Sequence, residues 1–338
     1  MTKTFTAVQM IGTQRSGSNL LRLMLDQLDE VSAPHPPHIL ARFVPLLAVY
    51  GDLATPANFA RLVDDVCRLV ECNPVPWEGV VLDRHVIMAR CDVPTLTEIF
   101  RVIYELRAES KGARIWICKS LASVHFASQL EERIKPFYLH LFRDGRDVAL
   151  SFEHVLVGEK HIYHIARQWK EEQEAAIQLR KQLGDCRVIQ VRYEDLLANP
   201  VKELRRVCVF IGAEYDAKAL EYYRSAESHN TAHAGVLWEN VEKPIMRDNF
   251  NKFRRELSEE EVLLFEQVAG DTLERLGYVR CFPNAGERVF SSAEIAQFLA
   301  LNEKLKQSAL STQRLEDLQK RKGQEDLLRE VQNRMAGA

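Results

Sequence analysis

Arg15, Ser16, Ser18 and Asn19 crowd into one short loop between Gly12 and the start of an apolar run, within VQMIGTQRSGSNLLR (8–22). Val8, Met10 and Ile11 read as a strand, and Leu20, Leu21, Leu23 and Leu25 as the first turns of a helix. A glycine-flanked strand-to-helix turn exposes backbone N–H groups that can cradle an anion. Gly12-x4-Gly17 has the spacing of a nucleoside-triphosphate loop, G-x4-G-K-[ST]. Ser18, however, stands at the lysine position and Asn19 at the position of the magnesium-binding hydroxyl. The loop is suited to a phosphate but lacks the groups that handle a γ-phosphate and its metal. It therefore points to a nucleotide whose reactive group is not a magnesium-bound triphosphate.

A second cluster lies in LFRDGRDVALSFEH (141–154). Arg143 ends a strand, and Asp147 and Ser151, four apart, share a face of the helix that follows. An arginine fork and a hydroxyl so arranged can bracket a second phosphate. The alternative is a structural Arg143–Asp147 pair with Ser151 as an ordinary helix hydroxyl. Lys119 terminates the strand-like ARIWICKS (113–120), either as a ligand group or as a solvated lysine. His35-Pro-Pro-His38 offers two imidazoles that can accept a proton near neutral pH, or merely a turn. His125 is the next candidate for a base. His161 and His164, three apart, have no evident third ligand, so no metal site is expected.

These residues must be positioned by a larger frame. Beyond the first strand and helix, SAPHPPH is irregular, 39–72 reads as helical, 73–96 as a connection, and about 95–110 as a helix. Strands are predicted at 113–120, 137–143 and 186–196. Helices are predicted at 162–183, with Trp169 as core anchor, at 201–211 closed by Gly212, and at 259–277. Continuously apolar strands alternating with helices predict an α/β, P-loop-like three-layer fold, with a central, mostly parallel sheet of roughly five strands between helices. In such sheets ligands gather at the strand C-termini. Arg15, Lys119, Arg143 and the 193–195 turn all follow strands. Residues 291–334 read as a helical extension: Phe298, Leu301 and Leu305 fit a heptad, but Ser308, Thr312 and Gly323 break it. The expected division is a domain over 1–283 and an extension over 284–338, packed on the body or on a second subunit as a homodimer contact.

With 338 residues, a hydrophobic fraction of 46% and a charged fraction of 28%, the composition is that of an ordinary globular protein. A net charge of −3 does not suggest a nucleic-acid partner. No apolar run approaches the ~18 residues of a membrane span. Seven scattered cysteines without C-x2-C pairs argue against a disulfide framework or a structural zinc site. A cytoplasmic location is expected.

Together the two motifs resemble the sulfotransferase superfamily that uses 3′-phosphoadenosine 5′-phosphosulfate (PAPS), and the RSGS form is similar to its carbohydrate, tyrosylprotein and bacterial members. The resemblance covers 8–28, 114–152, 186–216 and 238–279, is vague over 29–113, and is absent after about Pro283. It implies that Arg15, Ser16, Gly17, Ser18 and Asn19 hold the 5′-phosphosulfate, and that Arg143 and Ser151 hold the 3′-phosphate. VRYEDLLANP resembles a family segment whose tyrosine, here Tyr193, lies by the adenine. WENVEKPIMRDNFNKFRRE resembles a segment whose basic residues, here Arg247 and Lys252, close over the 3′-phosphate. Lys119 resembles the lysine that assists the leaving bridging oxygen. Related enzymes carry a catalytic carboxylate where this chain has His35 and His38. The implied activity is in-line sulfuryl transfer from PAPS to a hydroxyl of a small molecule, carbohydrate or lipid, releasing adenosine 3′,5′-bisphosphate (PAP) without a metal. A drifted P-loop kinase and a non-catalytic nucleotide-binding scaffold are the rival readings.

Overall fold

The computed structural model describes residues 4–153, 155, 158–311 and 315–336; Thr312, one of the predicted heptad breakers, lies outside them. Five strands, β1 (Thr6–Ile11), β2 (Val31–Ser32), β3 (Ile115–Cys118), β4 (Phe137–Phe142) and β5 (Val188–Arg192), form one sheet. Its order is β2-β3-β1-β4-β5, and every pairing is parallel. Both faces are covered by helices, which explains why the strands are continuously apolar. Tyr104, Trp116 and Tyr138 lie in the core on one face, and Met10, Leu25 and Leu139 in the core on the other.

Parallel strands all end at the same edge, and here every strand delivers a residue of interest to it. His35 follows β2, Lys119 follows β3, Arg15 follows β1, Arg143 follows β4 and Tyr193 follows β5. The loop after β1 is pressed onto the sheet. Gly12 has φ +134°, and a Cβ there would lie 2.1 Å from the Leu141 carbonyl oxygen. Behind the loop a buried polar chain fixes its height: His140 Nε2 lies 2.7 Å from Gln173 Oε1, and Gln173 Nε2 donates to Thr13 Oγ1 at 3.0 Å. Burial pushes the His140 imidazole down to about 4, so it is neutral at physiological pH.

Several helices match the sequence pattern closely, including Ile162–Leu183, Leu96–Lys111 and Pro200–Ile211, the last closed by Gly212 at φ +76°. Others differ. The stretch read as one helix over 39–72 is three pieces, Ile39–Phe43, a 3-10 segment Val44–Tyr50, and Pro56–Glu71; Pro45 lies at the first break, and Gly51 (φ +68°) and Pro56 at the second. The connection predicted over 73–96 contains a helix, Arg84–Arg90, whose N-terminus Asp83 caps by accepting from the N–H groups of His85 and Val86. Short helical turns at Ala217–Arg224, Ala226–His233 and Val236–Glu242 had no pattern strong enough to read.

The C-terminal helices lie on this chain's own body. Ser292–Ser311 rests on the 162–183 helix, with Phe298 stacked on His161 at 4.8 Å and Asn302 Oδ1 accepting from the N–H groups of Lys160 and His161. Leu315–Ala336 buries Leu327 and Val331 in the core beside the 56–71 helix. Arg334 pairs there with the buried Asp65 at 2.6 Å, and Asp65 also accepts from Tyr50 Oη at 2.8 Å.

One buried charge network anchors the turn after β4. Arg146 pairs with Asp144 at 2.6 Å and with Glu266 at 2.6 Å, and its guanidinium lies 4.1 Å from the centre of the Phe253 ring. Glu266 also accepts from the N–H groups of Cys281 and Phe282, each at 2.8 Å. Removing the cation leaves two carboxylates buried without a counter-charge. Arg146→Met is expected to destabilise the fold by roughly 3–5 kcal/mol in urea denaturation. A loss below about 1 kcal/mol would mean that the network contributes no more than a surface pair.

Candidate active site

Two cavities open along the C-terminal edge of the sheet. The first, about 410 Å³, is lined by the β1 loop, the start of the helix Ser18–Asp26, the helix after β4, Tyr193, and a covering segment that includes Asn249 and Lys252. The helix begins at Gly17, at φ +87°, and no side chain caps its first N–H groups. A Cβ at Gly17 would come within 2.3 Å of the Tyr193 ring, so only glycine lets the loop and the tyrosine meet.

Arg143 is the centre of this cavity. Its Nη1 donates to the Arg15 carbonyl at 3.1 Å, its Nη2 donates to the Asn249 carbonyl at 3.0 Å, and its guanidinium lies 4.9 Å from the centre of the Tyr193 ring. Asp147 is 3.9 Å from Arg143, at the limit of an ion pair. Its main contacts are with backbone: it accepts from the N–H groups of Asn251 at 2.6 Å and Phe253 at 3.0 Å, pinning the covering segment. Asn249 Nδ2 donates to Tyr193 Oη at 2.9 Å and completes the closure. Arg15 Nε donates to Ser151 Oγ at 3.0 Å, so the two sequence motifs are in direct contact. Burial and the neighbouring Arg143 charge lower the Arg15 pKa. Ser16 Oγ, Asn19 Oδ1 and Arg143 Nε are buried without a hydrogen-bond partner. Of these, the Ser16 hydroxyl and the Arg143 Nε–H are donors, which suit an anionic ligand.

The second cavity, about 260 Å³, shares Arg15, Ser18, Asn19 and Trp238 with the first. It contains His35, His38 and Lys119. Lys119 is 8% exposed, and burial, together with the Arg22 charge, lowers its pKa to about 7. His38 Nδ1 lies 2.9 Å from Ser120 Oγ. Burial and then the Lys119 charge bring the His38 imidazole down to about 3. His35 is more deeply buried, both its ring nitrogens lack partners, and its ring meets Trp238 edge-on at 4.9 Å. Its pKa is also well below the ordinary value, through burial and then Lys119.

Not every sequence candidate reaches these cavities. Arg247 is exposed and lines neither. His125 is exposed as well, because after Ser120 the chain turns into a 3-10 segment, Leu121–Phe126, that carries it away from the edge. His161 caps the 162–183 helix, its Nδ1 accepting from the Tyr163 N–H at 3.3 Å. Other residues had no readable signal. Arg22 is fully buried and joins the loop helix to the 226–233 helix through Glu227 at 2.6 Å and Thr231 Oγ1 at 2.8 Å. Trp238 follows that helix on a turn tied back by His229 Nδ1 to Glu242 at 2.6 Å. Arg321 and Gln324 reach the second cavity from the C-terminal helix.

A parallel sheet with a phosphate-type loop after β1, an arginine–serine pair after β4 and a second chamber beside them defines a group transferase built on a P-loop-like fold. The model of a sulfotransferase family matches residues 8–217, and the chain belongs to that family. Its fold is similar to the sulfotransferase domain of the Synechococcus PCC 7002 olefin synthase, at 22% identity and TM-score 0.52, covering 78% of this chain and 94% of that one. It is also similar to a sulfotransferase domain from the curacin biosynthetic pathway, at 19% identity and TM-score 0.56, covering 82% and 99%. None of the curated protein sequences compared with it matches. The chain is thus a transferase of sulfuryl groups, and no helix among the described residues is long and apolar enough to cross a membrane.

Lys119 makes the second cavity sensitive to pH. An anion bound beside it favours the ammonium form and raises its pKa from about 7. At pH 8 most of the free protein holds Lys119 neutral, so anion binding must take up a proton. PAP binding is expected to draw close to one proton at pH 8 and little at pH 6, read by calorimetry in buffers of different ionisation enthalpy. Lys119→Met should abolish the uptake; uptake unchanged in that variant would assign it to another group.

Proposed function

We propose that this chain moves the sulfuryl group of PAPS to a hydroxyl of a small molecule, carbohydrate or lipid in a single in-line step. The observation that carries the reading is the meeting of two cavities at Arg15, Ser18 and Asn19. One is lined by arginines and closed by an aromatic residue, as a bisphosphorylated nucleoside requires. The other holds a lysine and two neutral imidazoles, as an acceptor hydroxyl requires.

In this reading the loop from Arg15 to Asn19 and the uncapped helix start bind the 5′ end of the donor. Arg143, Ser151 and Lys252 bind the 3′-phosphate, and Tyr193 abuts the adenine. The acceptor oxygen forms a bond to sulfur as the bond from sulfur to the bridging oxygen breaks, and the bridging oxygen leaves with PAP. Lys119 stabilises the charge on that oxygen. The hydroxyl proton passes to a histidine. His38 is favoured over His35, because Ser120 orients its Nδ1 and no hydrogen bond among the described residues engages its Nε2. Its low proton affinity in the free protein comes partly from nearby cations, and a bound polyanion offsets that field.

Three measurements test the reading. PAP should raise the melting temperature in EDTA more than ATP with magnesium does, since a ligand specific for the folded state stabilises it. Stabilisation by ATP that depends on magnesium would instead favour a kinase. Arg143→Ala should weaken PAP about ten- to a hundredfold while affecting AMP far less, the value of a lost charged hydrogen bond. Equal weakening of both ligands would make Arg143 structural. His38→Ala should lower turnover by roughly two to four orders of magnitude with PAP affinity retained. Full activity in that variant, with loss in His35→Ala, would transfer the role to His35.

A further inference from the structure

The second cavity has a wall that the family match does not include. Residues 8–217 carry the match, yet Arg321 and Gln324 line this chamber from the helix Leu315–Ala336. That helix is seated rather than loosely apposed. Gln324 is 2% exposed, and its Nε2 donates to the Leu69 carbonyl at 2.9 Å and to Asn73 Oδ1 at 3.3 Å. Its Oε1 accepts from Arg42 Nη1 at 2.6 Å. At Gly323 the helix backbone runs beside Cys72, where a Cβ would lie 3.4 Å away in ordinary van der Waals contact.

This seating places two cations, Arg42 and Arg321, in the chamber's lining. Among the described residues neither has a carboxylate within ion-pair distance. Arg42 is held by a neutral amide, and Arg321 stands 5.7 Å from the centre of the Trp238 ring. Each lies in the other's field, and burial followed by the Arg321 charge lowers the Arg42 pKa, with the Glu325 charge opposing in part. Glu172 also lines the chamber; burial raises its pKa, and no ion pair among the described residues joins it to either arginine. Arg15 and Lys119 face the shared edge and are assigned to the donor in the reading above. Two arginines that the donor reading does not use therefore line the chamber together.

We propose that the acceptor is a hydroxy compound carrying an anionic oxyacid group, a carboxylate or a phosphate, and that Arg42 and Arg321 bind this group. The inference rests on the sulfotransferase reading of the two cavities. Paired guanidinium forks suit such oxygens, and a charge held in the chamber that contains His38 keeps the hydroxyl near that imidazole.

The test uses the full chain saturated with PAP, so that the first cavity is filled and its affinity reports independently on the donor site. Calorimetry then compares 4-hydroxybenzoate with its methyl ester, and glycerol 3-phosphate with glycerol, the two pairs distinguishing a carboxylate from a phosphate. In at least one pair the anion should bind roughly ten- to a hundredfold more tightly than its neutral partner. Arg321→Gln and Arg42→Gln should each remove most of that preference and leave PAP affinity within about twofold. An ester or glycerol that binds as well as its anion would overturn the proposal. So would a preference that survives both substitutions, or the absence of binding by either anion. Failure of PAP itself to bind would instead overturn the donor reading, which keeps the two conclusions separable.

Discussion

The guanidinium of Arg143 joins three parts of the chain at one point. It donates to the carbonyl of Arg15 in the loop after β1 and to that of Asn249 in the covering segment, and it faces the ring of Tyr193 after β5. Its Nε is left buried and unpartnered. A cation that satisfies carbonyls while keeping one donor in reserve can hold a site open and still favour an anion within it. The surrounding turn is rigid for a different reason: Arg146, two residues beyond Asp144, is neutralised by Asp144 and Glu266. Two arginines in one motif are thus compensated to different degrees: Arg146 is tightly paired for the fold, whereas Arg143 has only Asp147 at 3.9 Å and keeps one donor for a ligand.

That division explains what the sequence disclosed. The parallel sheet was legible because burial on both faces forces continuous apolar runs in β3 and β4, and glycine spacing marked the loop after β1. Arg15, Arg143, Ser151, Tyr193 and Lys119 could be named because each directly follows a readable strand or lies on the helix after one. Residues placed by tertiary closure were harder to find. Trp238 sits on a short turn with no periodicity, and Arg321 lies about two hundred residues along the chain from Lys119, in a helix whose pattern suggested no particular contact. Asp147 shows the same limit on a smaller scale. Its spacing from Arg143 suggested a salt bridge, whereas its closest partners are the backbone N–H groups of Asn251 and Phe253.

Charge also links the two chambers. Lys119 and both loop histidines are pushed toward their neutral forms by burial first and then by neighbouring cations. A ligand that brings negative charge beside these groups favours their protonated forms. Arg15, Ser18, Asn19 and Trp238 form the partition between the chambers, so occupancy on one side alters the field and the packing on the other.

The seating of the C-terminal helix has a consequence for how the protein comes into being. Every residue lining the first cavity is synthesised by Glu256, whereas Arg321 and Gln324 follow much later. Domains assemble from the N-terminal side as the chain emerges. A nascent chain can thus hold the residues of its first cavity while the neighbouring chamber still lacks a wall and stands open to water. Translation order makes these two halves of the site mature at different times, with the second completed when the last helix docks.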